Sequence, residues 1–194
     1  MVGFNRLVLF ALVTLFTADL LAAPSVGNRV PDFTLPEASG ASSYDLKKAI
    51  AKNKFTVILF IATRCPYSNA YNDRMAKLPA RFAGKGVEFV GINSNKTEPN
   101  AEIVKHARKN GFAFPVLKDE ANRVADQYDA KKTPEVFVID SQGILRYHGR
   151  IDENYEDASA VKSPDLDNAL NALLANKTVS APTTKAFGCS IKRI

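Results

Sequence analysis

A cysteine at the boundary between an apolar run and a helical pattern is the residue best suited to chemistry in this chain. The stretch Thr63-Arg64-Cys65-Pro66-Tyr67-Ser68 follows the run Phe55-Thr-Val-Ile-Leu-Phe-Ile-Ala62 and precedes apolar residues at helical spacing. A sulfur at a helix start meets unsatisfied backbone N–H groups and the positive end of the helix dipole, so its anion is favoured. Arg64 beside it is read as a further source of positive charge. The thiolate is the nucleophile in disulfide exchange and in peroxide reduction, and a lower pKa raises its fraction near neutral pH. The plainer reading is a buried, inert cysteine. Against it stands the position itself, because α/β sheets expose their sites at the C-terminal ends of their strands.

Thr133-Pro134 stands directly before a second apolar stretch, 135–139. A proline at the first position of a strand needs no special reason. The other reading is a cis bond that brings the preceding carbonyl beside the reactive thiol. Cys189 lies more than a hundred residues beyond Cys65. Two such cysteines in an oxidising compartment read as a redox couple or as a structural staple. A staple over so long a loop stabilises by about 4–5 kcal/mol on the chain-entropy model, so stability alone can justify the pair. His106, beside Lys105 and Arg108, and His148, on a hairpin strand, are two lone imidazoles without a third ligand, and no metal is expected.

The elements that must position these residues follow from periodicity. Residues 55–62 read as a central strand buried on both faces. Beyond Pro66, residues Tyr71, Met75, Leu78 and Phe82 recur on one helical face, with Pro79 expected to kink that helix or end its first half. A short edge strand at Phe33 and Leu35, a helix over 44–51, a strand over 87–92 and a helix over 99–109 complete the first part. A strand over 114–117, a short helix over 120–128 and the strand 135–139 follow. Ser141-Gln142-Gly143 then turns the chain into an antiparallel partner over 144–149. The last helix is expected over 164–174, with Ser163 as its cap. Strands alternating with helices predict an α/β sandwich, and the tail from Thr178 reads as polar, extended and flexible.

Composition narrows the class. Residues 1–23 carry one cation at Arg6, an apolar run over 7–16 and the small pair Ala22-Ala23, the order of a secretory signal peptide. The apolar core is shorter than the ~20 residues of a membrane span, and an uncleaved anchor over 7–23 is the alternative. The expectation is therefore an exported, periplasmic or extracellular protein, soluble and without stable membrane insertion once cleaved. The net charge of +6 is spread over scattered lysines and arginines with acids among them. That pattern is a solvated surface and not a nucleic-acid platform. Asp152, Glu153, Glu156 and Asp157 form an acidic loop, read as a solvated turn or a guide for a basic partner.

With these residues in view, the chain resembles the thioredoxin-like superfamily, and within it the redoxin branch of peroxiredoxin-like (AhpC/TSA) and exported thioredoxin-like proteins. The resemblance covers about 26–174 and rests on Val30-Pro31-Asp32-Phe33, the stretch 60–68, Thr133-Pro134 and Val138-Ile139-Asp140-Ser141-Gln142-Gly143. It implies a thioredoxin-like α/β fold, a central mixed β-sheet flanked by helices in a single domain over 24–176, followed by an extended tail over 177–194. It also implies that Cys65 is the attacking cysteine and Pro134 the cis proline facing it. An arginine near the thiolate is a peroxiredoxin feature, and Arg146 or Arg150 on the hairpin is a candidate.

The departures from the pattern are informative. A dithiol thioredoxin carries a second cysteine where this chain has Ser68. A peroxiredoxin carries Thr or Ser three residues before the cysteine, where this chain has Ala62, with Thr63 only two before. The missing resolving thiol is then expected at Cys189, which follows a glycine that permits close backbone approach. The alternatives are a Cys189 that bonds a second subunit and one that merely packs. The expected activity is disulfide exchange or peroxide reduction through Cys65, with Cys189, Thr133 and Pro134 in the site and Thr63, Arg64, Pro66 and Ser68 in support. The partners are a thiol or disulfide protein or a peroxide, with no organic cofactor. The competing class is a non-catalytic binding protein of the same fold, stapled by the two cysteines.

Overall fold

A computed structural model describes residues 23–193, so the leader expected over 1–23 falls outside the described residues except for Ala23. The chain opens with a two-stranded ribbon, β1 (Thr34–Pro36) against β2 (Ser43–Asp45), and passes directly into helix α1 (Leu46–Lys52). The sequence predicts that helix from residue 44. It starts at Leu46 because Asp45 caps it, its carboxylate accepting from the Lys48 amide at 3.0 Å.

Strand β3 (Phe55–Phe60) is central, and after the Cys65 loop come helices α2 (Pro66–Ala70) and α3 (Asn72–Arg81). Strand β4 (Val87–Asn93), helix α4 (Asn100–Lys109), strand β5 (Val116–Lys118) and helix α5 (Arg123–Gln127) follow. The two-residue strand β6 (Lys132–Thr133) precedes β7 (Glu135–Asp140), which pairs with β8 (Leu145–Gly149). Helix α6 (Asp165–Leu174) and the two-residue strand β9 (Cys189–Ser190) end the order. The main sheet runs β5-β4-β3-β7-β8, with β3, β4 and β5 parallel and β7 and β8 antiparallel to their neighbours.

The continuous apolar run of β3 is explained by cover on both sides. Val57, Leu59 and Ile61 join Val136 and Val138 beneath α3, α4 and α6, against Met75, Leu78, Ile103 and Leu170. Ile58 and Phe60 join Phe137 and Ile139 on the other face, against Leu46, Ile50 and Val124 from α1 and α5. The four residues Tyr71, Met75, Leu78 and Phe82 are all buried, as their spacing predicts. The helical break, however, falls at Tyr71, between α2 and α3, and not at Pro79. Pro79 lies in the last turn of α3, where its missing N–H costs one hydrogen bond close to the helix end.

Two other boundaries differ by capping. Asp119 accepts from the amides of Val124 and Ala125, so α5 starts at Arg123 and not at 120. Ser163 gives its hydroxyl to the Asp165 carboxylate at 2.6 Å, and Pro164 occupies the cap position before α6.

The tail is laid down along the domain, where the sequence suggests a flexible segment. His148 donates its amide to Pro182 O, and Thr184 donates back to His148 O, each at 3.0 Å. Ile191 is buried with the α1 and α5 side of the core. Such burial stabilises docking by about 1.5–3 kcal/mol. The strand β9 pairs antiparallel with β6, setting Cys189 opposite Thr133.

Candidate functional site

Cys65 follows the C-terminal end of β3 and is the N-cap of α2, with Pro66 at the first helical position. Its Sγ accepts from the Ser68 amide at 3.4 Å, and its thiol donates to the Thr133 carbonyl at 3.2 Å. The Thr133-Pro134 peptide is cis. Both cysteines are free, Cys65 buried at 4 % exposure and Cys189 half-buried. The structure thus brings Cys65, Ser68, Thr133, Pro134 and Cys189 to one place.

Two opposed effects act on the Cys65 thiol. Burial pushes it up, while hydrogen bonds from the Cys189 thiol, the Ser68 amide, the Thr133 hydroxyl and the Cys189 amide favour its anion. The hydrogen bonds win, and the thiol sits below the ordinary cysteine value. The buried Thr133 hydroxyl meets no partner at full hydrogen-bonding geometry, so the Ser68 amide is the donor that distance and angle support directly. Cys189 moves the opposite way: burial, the hydrogen bond to Cys65 and the charge of Cys65 push it up to about 11, against the Tyr67 amide and the Lys192 charge.

Several expected supporting residues point elsewhere. Arg64 is exposed and its guanidinium holds the Glu102 carboxylate, so it makes no contact with the sulfur beside it. The Thr63 hydroxyl also donates to Glu102. Ser68 is buried, and its hydroxyl oxygen accepts from the Ala62 amide at 3.2 Å. Arg146 pairs with Asp140 and Arg150 with Asp165, each at 2.6 Å, and neither reaches the thiol. In the acidic loop Asp152 is buried and held by Arg74 at 2.8 Å, so that residue is structural and not solvated. Among the described residues no group of three or more His, Cys, Asp or Glu side chains gathers to hold a metal.

The surroundings hold residues that sequence reasoning missed. Tyr67, Tyr155 and Phe187 form an aromatic collar beside the two cysteines, with ring centroids 4.6–6.5 Å apart. Behind the Cys65 loop lies buried Glu98, whose carboxylate accepts from the amides of Thr63 (2.8 Å) and Arg64 (3.1 Å). In sequence it stands in the polar stretch before Pro99, which reads as an ordinary loop. Gly188 does carry a signal, because a glycine before a cysteine implies close approach. A Cβ there would lie 2.1 Å from the Thr133 carbonyl oxygen.

A mixed sheet with helices on both faces, its central strand leading into a cysteine-capped helix opposite a cis-proline loop, defines a protein of the thioredoxin-like class. Residues 26–148 match the AhpC/TSA family, and the chain belongs to that family. It is 28 % identical over 124 residues to the thiol-disulfide oxidoreductase ResA of Geobacillus kaustophilus (strain HTA426), covering 64 % of this chain and 68 % of that one. It is 30 % identical over 137 residues to the thiol:disulfide interchange protein DsbE of Tatumella citrea, covering 71 % of each. Among solved structures, a hypothetical protein from Sinorhizobium meliloti 1021 superposes with a TM-score of 0.80 at 31 % identity, over 89 % of this chain and 97 % of that one.

Among the described residues no helix is long and apolar enough to cross a membrane.

Proposed function

We propose that the chain is an exported thiol oxidoreductase in which Cys65 and Cys189 form one redox couple. The observation that carries this reading is the contact of two free thiols with opposite shifts, Cys65 lowered and Cys189 raised to about 11. The names of the ResA and DsbE relatives favour disulfide exchange as the reaction.

The Cys65 thiolate attacks one sulfur of a disulfide RSSR. A Cys65–SR bond forms, and RS⁻ leaves and takes a proton. Cys189 then attacks the Cys65 sulfur, closing the Cys65–Cys189 disulfide and releasing RSH. With a hydroperoxide the same thiolate attacks oxygen and becomes a sulfenic acid as the alcohol leaves, and Cys189 closes the disulfide with loss of water. Two equivalents of an external thiol reset the pair and leave as their own disulfide.

The pKa pattern times the second step. Burial is the largest cause holding Cys189 protonated, and the hydrogen bond and charge of Cys65 add to it. Once Cys65 is in a neutral covalent adduct, that charge and that acceptor are gone, while the Tyr67 amide and the Lys192 charge remain. Cys189 therefore ionises more readily when its attack is needed.

The test runs wild type, Cys65→Ser and Cys189→Ser in parallel on a disulfide substrate and on hydrogen peroxide. Cys65→Ser is expected to abolish turnover of either. Cys189→Ser is expected to allow one stoichiometric attack and then stall. Unchanged turnover in Cys65→Ser refutes the reading and leaves the two thiols as a packing pair.

A further inference from the structure

A buried polar cluster behind the site ties together the two chain segments that carry the cysteines. Glu98 is 2 % exposed, and its carboxylate takes four N–H donors. Two are the amides of Thr63 and Arg64, the residues immediately before Cys65. The others are the side-chain amides of Asn93 (2.5 Å) and Asn95 (3.1 Å). Asn95 also reaches the tail, its Oδ1 accepting from the Lys192 amide at 2.7 Å, three residues beyond Cys189. Next to it the Lys96 amide donates to Lys192 O at 3.0 Å. The buried Lys118 ammonium fastens the loop from below, donating to Asn95 O (2.7 Å) and Glu98 O (3.0 Å).

These bonds form an unbroken path from the Cys65 loop through Glu98 and Asn95 to the Cys189 segment, separate from the β6–β9 pairing. Four polar side chains buried together, Asn93, Asn95, Glu98 and Lys118, are costly unless fully partnered. Their partners include the Thr63, Arg64 and Lys192 amides, on the backbones that must stay in register for two sulfurs to meet. Exchange within one chain is fast in proportion to how narrowly the reacting atoms are held.

We propose that Glu98, acting through Asn95, is a positioning residue for the exchange between Cys65 and Cys189. The proposal rests on the two cysteines being a redox couple. It adds that their effective concentration is set by this buried anchor as well as by the strand pairing at Thr133.

The measurement is equilibration of the full chain with a glutathione redox buffer. In that reaction the dithiol and oxidised glutathione give the intramolecular disulfide and two reduced glutathiones, and the equilibrium constant is the effective concentration of the pair. Glu98→Gln puts an N–H₂ group among four donors, and the constant is expected to fall about tenfold or more. Asn95→Ala leaves Glu98 on Thr63, Arg64 and Asn93 while removing the side-chain bond to the Lys192 amide, and a fall of about fivefold is expected. Circular dichroism of the reduced proteins reports folding, and Asn95→Ala decides the matter if Glu98→Gln does not fold. Alkylation of Cys65 in a Cys189→Ser background should change little with Asn95→Ala, because Glu98 keeps its bonds to the Thr63 and Arg64 amides. A constant within about twofold of wild type in folded Asn95→Ala, less than the loss of one hydrogen bond, overturns the positioning role. A wild type that forms no Cys65–Cys189 disulfide refutes the redox couple itself, and is told apart by the wild-type arm.

Discussion

Removing the Cys189 side chain leaves Cys65 buried but takes away a hydrogen-bond donor to its anion. Burial is the largest single effect on Cys65 and acts upward, and the Cys189 thiol is the first of the groups that oppose it. Cys189→Ala is therefore expected to raise the pH midpoint for alkylation of Cys65, lowering the thiolate fraction near neutral pH. A pH series of iodoacetamide rates on both proteins reads this directly, and an equal or lower midpoint in the variant contradicts the assignment. At this scale the sequence shows the place of the proposed nucleophile but not its electrostatics. A cysteine after an apolar strand and before a proline-led helical pattern is a local signature. Which groups face the sulfur is not, and Arg64, adjacent in sequence, turns outward to Glu102. The donors that matter include one from residue 189, a contact that only the folded chain creates.

Among the elements, those that bury much apolar surface were legible and those that pair briefly were not. The run of β3 and the face Tyr71, Met75, Leu78 and Phe82 carry their periods over many residues, so both were readable. Strands β6 and β9 are two residues each and have no period to read. Their pairing depends on Gly188, whose φ of +143° and contact with the Thr133 carbonyl leave no room for a side chain. Gly188→Ala is expected to cost about 1–3 kcal/mol through backbone strain and to slow closure of the Cys65–Cys189 disulfide. Urea unfolding of the reduced protein and stopped-flow oxidation test the two parts. A variant with wild-type closure shows that the β6–β9 contact does not hold Cys189 in place. The Glu98 cluster is not legible in the sequence for a related reason. Asn93-Ser94-Asn95-Lys96-Thr97-Glu98 reads as a solvated loop, and only the fold buries Asn93, Ser94, Asn95 and Glu98 behind the Cys65 loop.

For the whole molecule, the tail completes the domain. It carries Ile191 into the core, Phe187 into the aromatic collar and Cys189 onto the cis-proline loop. The family pattern lacks its second cysteine at Ser68, and the chain's other sulfur arrives at the same place from the far end of the sequence. The proposed couple requires these two sulfurs to exchange electrons as a pair within one chain. Its most direct measurement is peptide mapping by mass spectrometry after one equivalent of oxidant, with free thiols alkylated under acid quench. One species is expected, a monomer in which the Cys65 and Cys189 peptides are joined by a disulfide and neither is alkylated. A Cys65 overoxidised to sulfinic acid beside a freely alkylated Cys189, or a disulfide found only between chains, contradicts it.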